Sequence, residues 1–217
     1  MLFFGSPSLA HFIALAIALI VALDVHEFFH AWMASALGDP TPRVLGRLTL
    51  NPLAHMDPLG TLMIFLAGFG WGKPVPVNPY NLRHGAKTGM ALVSLAGPLA
   101  NLTMAALFAI PVRLGIVALD LFNRGLLPTP GQLVATIMLI NVTLAIFNLI
   151  PIAPLDGFRV VVGLLPYRWA YAFAQYEAYG PAILIFLILA GSFTRFDILG
   201  EVMVPFIYLV LRLLVGV

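Results

Sequence analysis

From Met1 to Leu23 the chain carries no Asp, Glu, Lys or Arg, and uncharged runs return at Thr88 to Val112 and through Gly125 to Leu155. A helix needs about 20 predominantly apolar residues to cross the hydrocarbon of a bilayer, and each run is long enough to hold one. Such runs leave few folds open, because backbone N–H and C=O groups in lipid must be satisfied within the spanning structure. The whole composition agrees: 61% of residues are hydrophobic and 9% charged, where soluble domains carry about a quarter charged. The expected fold is an all-α membrane protein, a polytopic bundle of about five transmembrane helices forming one domain over residues 1–217.

The first apolar pattern persists to about Leu37, where Gly38-Asp39-Pro40 stops it, giving a helix over about 8–37. The third span starts near Gly131, after the Pro128-Thr129-Pro130 turn. Two further spans are expected at roughly Ala172 to Gly191 and Ile198 to Val217. Residues 38–87 hold Arg43, Arg47, Lys73, Arg83 and Lys87, five of the eleven Lys and Arg, against Asp39 and Asp57. The positive-inside rule makes this loop cytoplasmic and puts the N-terminus outside. The first segment lacks a basic start, so it is expected to be retained rather than cleaved as a signal. A net charge of +2 arises from few residues and gives no reason to expect nucleic-acid binding. There are no cysteines, which removes disulfides and thiolate ligands from consideration.

Inside the first span lies His26-Glu27-Phe28-Phe29-His30. Positions i and i+4 share a helix face, so both imidazoles can hold one metal ion while Glu27 reaches its water. Ionisable groups at membrane depth are costly and usually mark function. A catalytic zinc takes three protein ligands, and with no cysteine the third must come from His, Asp or Glu. Candidates are His11, Asp24, His55, His84, Asp57 and Asp156. Asp156 stands out in Asn148-Leu149-Ile150-Pro151-Ile152-Ala153-Pro154-Leu155-Asp156-Gly157, where prolines break a helix at a depth at which irregular backbone must line a cavity or be buried in protein. Capping of the following helix is the competing role for Asp156.

HEFFH, then Gly97-Pro98-Leu99-Ala100-Asn101, then the N-x-x-P-x-x-P-L-D-G string occur in an order that resembles the site-two protease family of intramembrane zinc metalloproteases. Asn51 to Gly60 (NPLAHMDPLG) resembles a stretch of its compact members, and this chain has room for neither a PDZ nor a CBS domain. The resemblance implies one zinc ion per chain held by His26, His30 and Asp156, with Glu27 as catalytic base and Asn148 orienting substrate or stabilising the oxyanion. It also implies single-span membrane proteins as substrates, cut within or near their spans in the plasma membrane of a prokaryote, and the positive-inside rule puts the active site toward the cytoplasm.

Gly68 to Pro79 is expected to form a short hairpin entering from the cytoplasmic side, similar to the family's re-entrant β-loop. Its alternate prolines confine it to a sheet edge, and Val75, Val77 and Asn78 could then pair with a substrate strand. His55 and Asn51 are expected to have structural or gating roles, Asp24 a buried hydrogen bond, and Asn101 a packing role between close helices, with a bond across them as the alternative. Two other function classes compete with this reading. A membrane peptidase trimming prenylated C-termini would need a glutamate ligand on a later helix, and Glu177 and Glu201 lack that setting. The other is a non-catalytic membrane binding or transport protein; an intact Glu27 speaks against it, and a metal assay separates the two.

Overall fold

The computed structural model describes residues 8–60, 63, 72–120, 125–193 and 197–216. Among these, helix α1 runs Leu9–Ala36 and is followed by two single turns, α2 at Thr41–Val44 and α3 at Pro52–His55. Helix α4 spans Gly85–Arg113 and α5 Pro130–Asn148; α6 is Asp156–Leu164, α7 Tyr167–Ala174, α8 Gly180–Phe193 and α9 Ile198–Val215. Among the described residues, five segments are long and apolar enough to cross a membrane, at Leu9–Ala36, Gly85–Arg113, Pro130–Asn148, Tyr167–Gly191 and Ile198–Val215. The protein is a multi-pass integral membrane protein. The fourth segment is divided, since a 3-10 turn at Glu177–Tyr179 separates α7 from α8.

Local chemistry sets the helix ends. The Ser8 hydroxyl accepts the His11 N–H at the start of α1, and the Thr129 hydroxyl accepts the Gln132 N–H at the start of α5. Helix α1 stops in a Schellman turn: Gly38, at φ +104, lets the Asp39 N–H return to the Ala34 carbonyl. Helix α5 ends just before Pro151, which cannot continue a ladder.

Helices α1, α4 and α5 pack mutually as the centre of the bundle, α6 lies against α4, and α9 covers α5. The contact faces are ridges of residues four apart. On α1 the buried ridge is Ala10, Ala14, Ala18, Ala22, His26, His30 and Ala34; on α4 it is Gly89, Val93, Gly97, Asn101, Ala105 and Ala109. In lipid no hydrophobic force separates helix from tail, so close backbone approach through small residues supplies the attraction. Outside this centre, Ala105, Val142, Met203 and Ile207 join α4, α5 and α9 in an apolar cluster.

The expected re-entrant β-hairpin is not supported, since no strand forms among the described residues. The Met56–Gly72 antiparallel bridge and the bond from Lys73 N–H to the His55 carbonyl (2.7 Å) are the pairing present. Next to this bridge Asn51 caps α3, taking the Leu53 N–H, so Pro52–His55 coil into a helical turn and offer segment 73–78 no extended neighbour. Pro74 and Pro76 remove alternate donors as well. Residues 68–71 of that expected hairpin lie outside the described residues.

Candidate metal centre

The ridge on α1 carries its alanines straight into the chemistry. Two turns beyond Ala18 the same stripe presents His26 and His30, whose Nε2 atoms lie 3.0 Å apart and are buried. Asp156, at the first position of α6, brings Oδ2 to 3.1 Å from His26 Nε2 and 3.2 Å from His30 Nε2. Four-coordinate zinc with bonds of about 2.0–2.2 Å places its ligand atoms about 3.3 Å apart, close to this triangle. His26, His30 and Asp156 form the one cluster of potential metal ligands among the described residues.

Hydrogen bonding tests whether a cation belongs there. His26 Nδ1 donates to Asn101 Oδ1 and His30 Nδ1 to the Val93 carbonyl, both at 2.7 Å. Each partner is an acceptor, so each imidazole donates from Nδ1, and the neutral ring turns a lone pair from Nε2 toward the carboxylate. Three acceptors facing one another at 3.0–3.2 Å repel unless a cation lies between them. The donor set therefore fits a divalent metal.

Asn101 is itself fixed. Its Nδ2 donates to the Ala22 carbonyl and to Asn141 Oδ1 (2.9 Å each), and Asn141 Nδ2 donates to the Ile137 carbonyl. Both amides are fully buried, and backbone carbonyls at the ends of the chain leave one orientation for each. Asn101 thus makes the bond across the helix contact, the alternative to packing, and that bond orients a ligand. Gly97 supplies the space, because a Cβ there would lie 2.5 Å from His30 Nε2 and 2.7 Å from His26 Cε1. Gly157 does the same for Asp156: a Cβ would lie 2.2 Å from the Leu149 carbonyl oxygen, so the start of α6 can rest on the end of α5.

A cavity of about 340 Å³ opens on the metal site, lined by Glu27, Asn148, Val75, Val77 and Arg159 among others. Asn148 donates from Nδ2 to the Leu144 carbonyl at 3.0 Å. The N–H and C=O groups of Val75 and Val77 have no partner among the described residues. The backbone N–H of Asn78 donates to Asp39 Oδ2 at 2.7 Å, while its side chain caps the turn at Pro79–Asn81. Asp39 is fully buried. Burial raises its pKa, but bonds from the Thr41 hydroxyl, the Asn81 amide and the Asn78 and Thr41 N–H groups outweigh burial and leave it below the ordinary carboxylate value. That clamp, with Arg47 Nη1 donating to the Ala54 and Lys73 carbonyls, fixes the segment 73–78 over the cavity.

The other ligand candidates lie elsewhere. His55 is buried, donates from Nε2 to the Thr49 carbonyl at 2.9 Å, and stands 3.7 Å from Asp24 Oδ1. Asp57 accepts the Gly60 N–H, His84 is exposed at the start of α4, and His11 is in the first turn of α1. Glu177 pairs with Arg159, and Glu201 is in the first turn of α9.

Residues 114–191, which include Asn148 and Asp156, match the model of peptidase family M50. Over 194 residues, 86% of this chain and 85% of the relative, the sequence is 40% identical to a Bacillus subtilis (strain 168) protein named "Putative zinc metalloprotease YwhC". The chain belongs to peptidase family M50, the site-2 proteases. It is also 34% identical over 182 residues, 80% of this chain and 65% of the relative, to "Putative zinc metalloprotease Rip2" of Mycobacterium tuberculosis (strain ATCC 25618 / H37Rv). The Mycolicibacterium smegmatis (strain ATCC 700084 / mc(2)155) protein of that name is 31% identical over 196 residues, 85% of this chain and 70% of the relative. No solved structure matches the chain. This M50 protein is a membrane zinc metallopeptidase of site-2 type, and its cofactor is zinc.

Proposed function

We propose that this M50 peptidase cuts single-span membrane proteins within or near their transmembrane segments, as a step of regulated intramembrane proteolysis. The observation that carries the reading is depth: His26 and His30 lie on a 28-residue apolar helix, with His30 six residues before its end at Ala36. At 1.5 Å per residue that is about 9 Å inside the helix end. The basic loop after α1 supports a cytoplasmic location for that end, in the plasma membrane of a prokaryote.

His26, His30 and Asp156 would hold the zinc. When bound, zinc supplies Lewis acidity, lowering the pKa of a coordinated water to about 7 and polarising the scissile carbonyl. Glu27, in the same cavity, takes the proton of the attacking water and passes it to the nitrogen of the departing amine, leaving a new carboxylate and a new amine. Asn148 turns its remaining N–H toward the carbonyl oxygen as charge develops there. A substrate helix shields its own amides, so it must unwind first, and the unpartnered backbone of Val75 and Val77 can take up the hydrogen bonds released.

The test is reconstitution of zinc-loaded wild type and Glu27→Gln with a single-span protein in lipid vesicles, with product masses locating the cut. The expected result is cleavage inside or within a turn of the span by the wild type, and a fall of about 10²–10⁴-fold in the variant at equal zinc content. Cleavage confined to soluble, unfolded peptides would refute the intramembrane reading.

A further inference from the structure

Arg159 lies three residues after the ligand Asp156, so both project from the same face of α6. Among the described residues it is the one arginine or lysine lining the metal cavity. The charges around it do not cancel it. Zinc at +2 is balanced by Asp156 and Glu27, which leaves the guanidinium as the net charge of the site.

Its resting partner is weak. Arg159 Nη2 is 3.5 Å from Glu177 Oε1, with the two side chains 45% and 55% exposed, and Arg159 has no other polar partner among the described residues. An exposed pair of this kind holds by well under a factor of ten. Of the five N–H donors of the guanidinium, most remain available in a geometry suited to a carboxylate. Glu177 does not line the metal cavity. It lines two adjoining cavities, of about 230 and 180 Å³, and Arg159 lines both of those as well. Arg159 therefore stands where the metal cavity meets its neighbours.

We propose that Arg159 is a specificity-determining residue that selects peptides carrying a carboxylate near the scissile bond, exchanging Glu177 for it. This rests on the peptidase reading of the same cavity. The carboxylate is an Asp or Glu side chain or a free C-terminus, and both have the same forked geometry. When it arrives, Glu177 is released toward the adjoining cavities, where it remains exposed to water.

The experiment measures binding of fluorescent apolar peptides to the zinc-loaded, full-length Glu27→Gln protein in detergent, so that no turnover is needed. One peptide series is amidated and neutral, a second carries a single Glu moved residue by residue, a third carries Lys in the same places, and a fourth has a free C-terminus. The best-placed Glu peptide should bind about tenfold tighter than the neutral one. If the free C-terminus alone gives the gain, the source is the terminal carboxylate; if Glu gives it, the source is the side chain. Arg159→Gln should abolish the preference without weakening the neutral peptide, Arg159→Glu should transfer it to Lys peptides, and Glu177→Gln should enlarge it. Glu177→Gln leaves α6 and the metal ligands intact, so it decides the case if an Arg159 variant loses zinc. Equal binding of all charges, or a preference that survives Arg159→Gln, overturns the proposal and leaves Arg159 as a tether between α6 and the Glu177 turn. Because the readout is binding, failure of the wild type to cut membrane spans would refute the proposed function alone.

Discussion

Gly97→Ala gives the sharpest test of how the metal centre is built. An added Cβ would sit 2.5 Å from His30 Nε2, 2.6 Å from His30 Cε1 and 2.7 Å from His26 Cε1. Non-bonded carbon contacts settle at about 3.5–4.0 Å, so α4 and the imidazoles must part by about 1 Å. Zinc sites tolerate ligand displacements of about 0.2 Å, several times less. Nor can the histidines give way alone, since the bonds from their Nδ1 atoms to Asn101 Oδ1 and the Val93 carbonyl tie them to the same helix that carries the new methyl. Overpacking of this size costs about 1–3 kcal/mol in a core, which a helix bundle survives. The expected outcome is a protein that still inserts and folds, with a modest loss of thermal stability in the metal-free state and zinc affinity lower by about a hundredfold or more. Chelator competition gives the affinity, and thermal unfolding of the stripped protein gives the fold. Zinc binding by Gly97→Ala within threefold of wild type would show that the two ridges do not set the ligand geometry.

Asn101→Ala should lower zinc affinity about 10–100-fold by freeing the His26 ring, and Asn141→Ala should do so less, since it acts through Asn101; chelator competition ranks the two. Asp39→Asn should destabilise the protein at pH 7 by about 1–3 kcal/mol, through loss of charge-assisted bonds to the segment 73–81. Because the Asp39 pKa is depressed in the folded state, its contribution is present above the unfolded value of about 4 and fades as pH falls through the folded value. Melting curves of wild type and variant should therefore converge as the solution is acidified below about pH 4; a gap that stays constant with pH would exclude the carboxylate as its source. Val75→Pro or Val77→Pro should slow cleavage of helical substrates strongly while Val75→Ala is mild, and substrates already broken by Gly or Pro should be spared. Equal rates across matched substrates would remove backbone pairing from the mechanism.

The helices were legible because lipid leaves the chain so few options. The expected first span of about 8–37 corresponds to α1 at Leu9–Ala36, and the expected start near Gly131 corresponds to α5 starting at Pro130. The fourth span was less so: hydropathy averages over Gln175 to Tyr179, whereas the backbone there turns, and composition alone does not register a 3-10 break. The hairpin failed for a related reason. Proline spacing describes one strand of a pair and carries no information on its partner, and Pro74 and Pro76 take alternate donors from that strand itself. The His26, His30 and Asp156 cluster was visible because metal chemistry demands particular side chains at particular spacings. Its supports were not, because a carbonyl such as that of Val93 has no signature in sequence and an asparagine in a small-residue stretch fits packing equally well.

One pattern could have exposed those supports. Ala10, Ala14, Ala18, Ala22, His26, His30 and Ala34 form a single i+4 stripe, and so do Gly89, Val93, Gly97, Asn101, Ala105 and Ala109. When two such ridges pack, each residue of one is set against the grooves of the other. Whatever replaces an alanine on the first stripe must then meet whatever lies across from it on the second. The two large residues of the α1 stripe are the ligands, and across from them the α4 stripe offers a glycine for room, a carbonyl and an amide for hydrogen bonds. Helix α4 contributes nothing to the metal itself, yet it fixes both rings against rotation and sets their distance from Asp156 through its packing on α6. Two small-residue ridges therefore do double duty in this protein. They hold the bundle together where the hydrophobic effect gives no help, and they hold two imidazole Nε2 atoms 3.0 Å apart, close to the spacing that zinc needs.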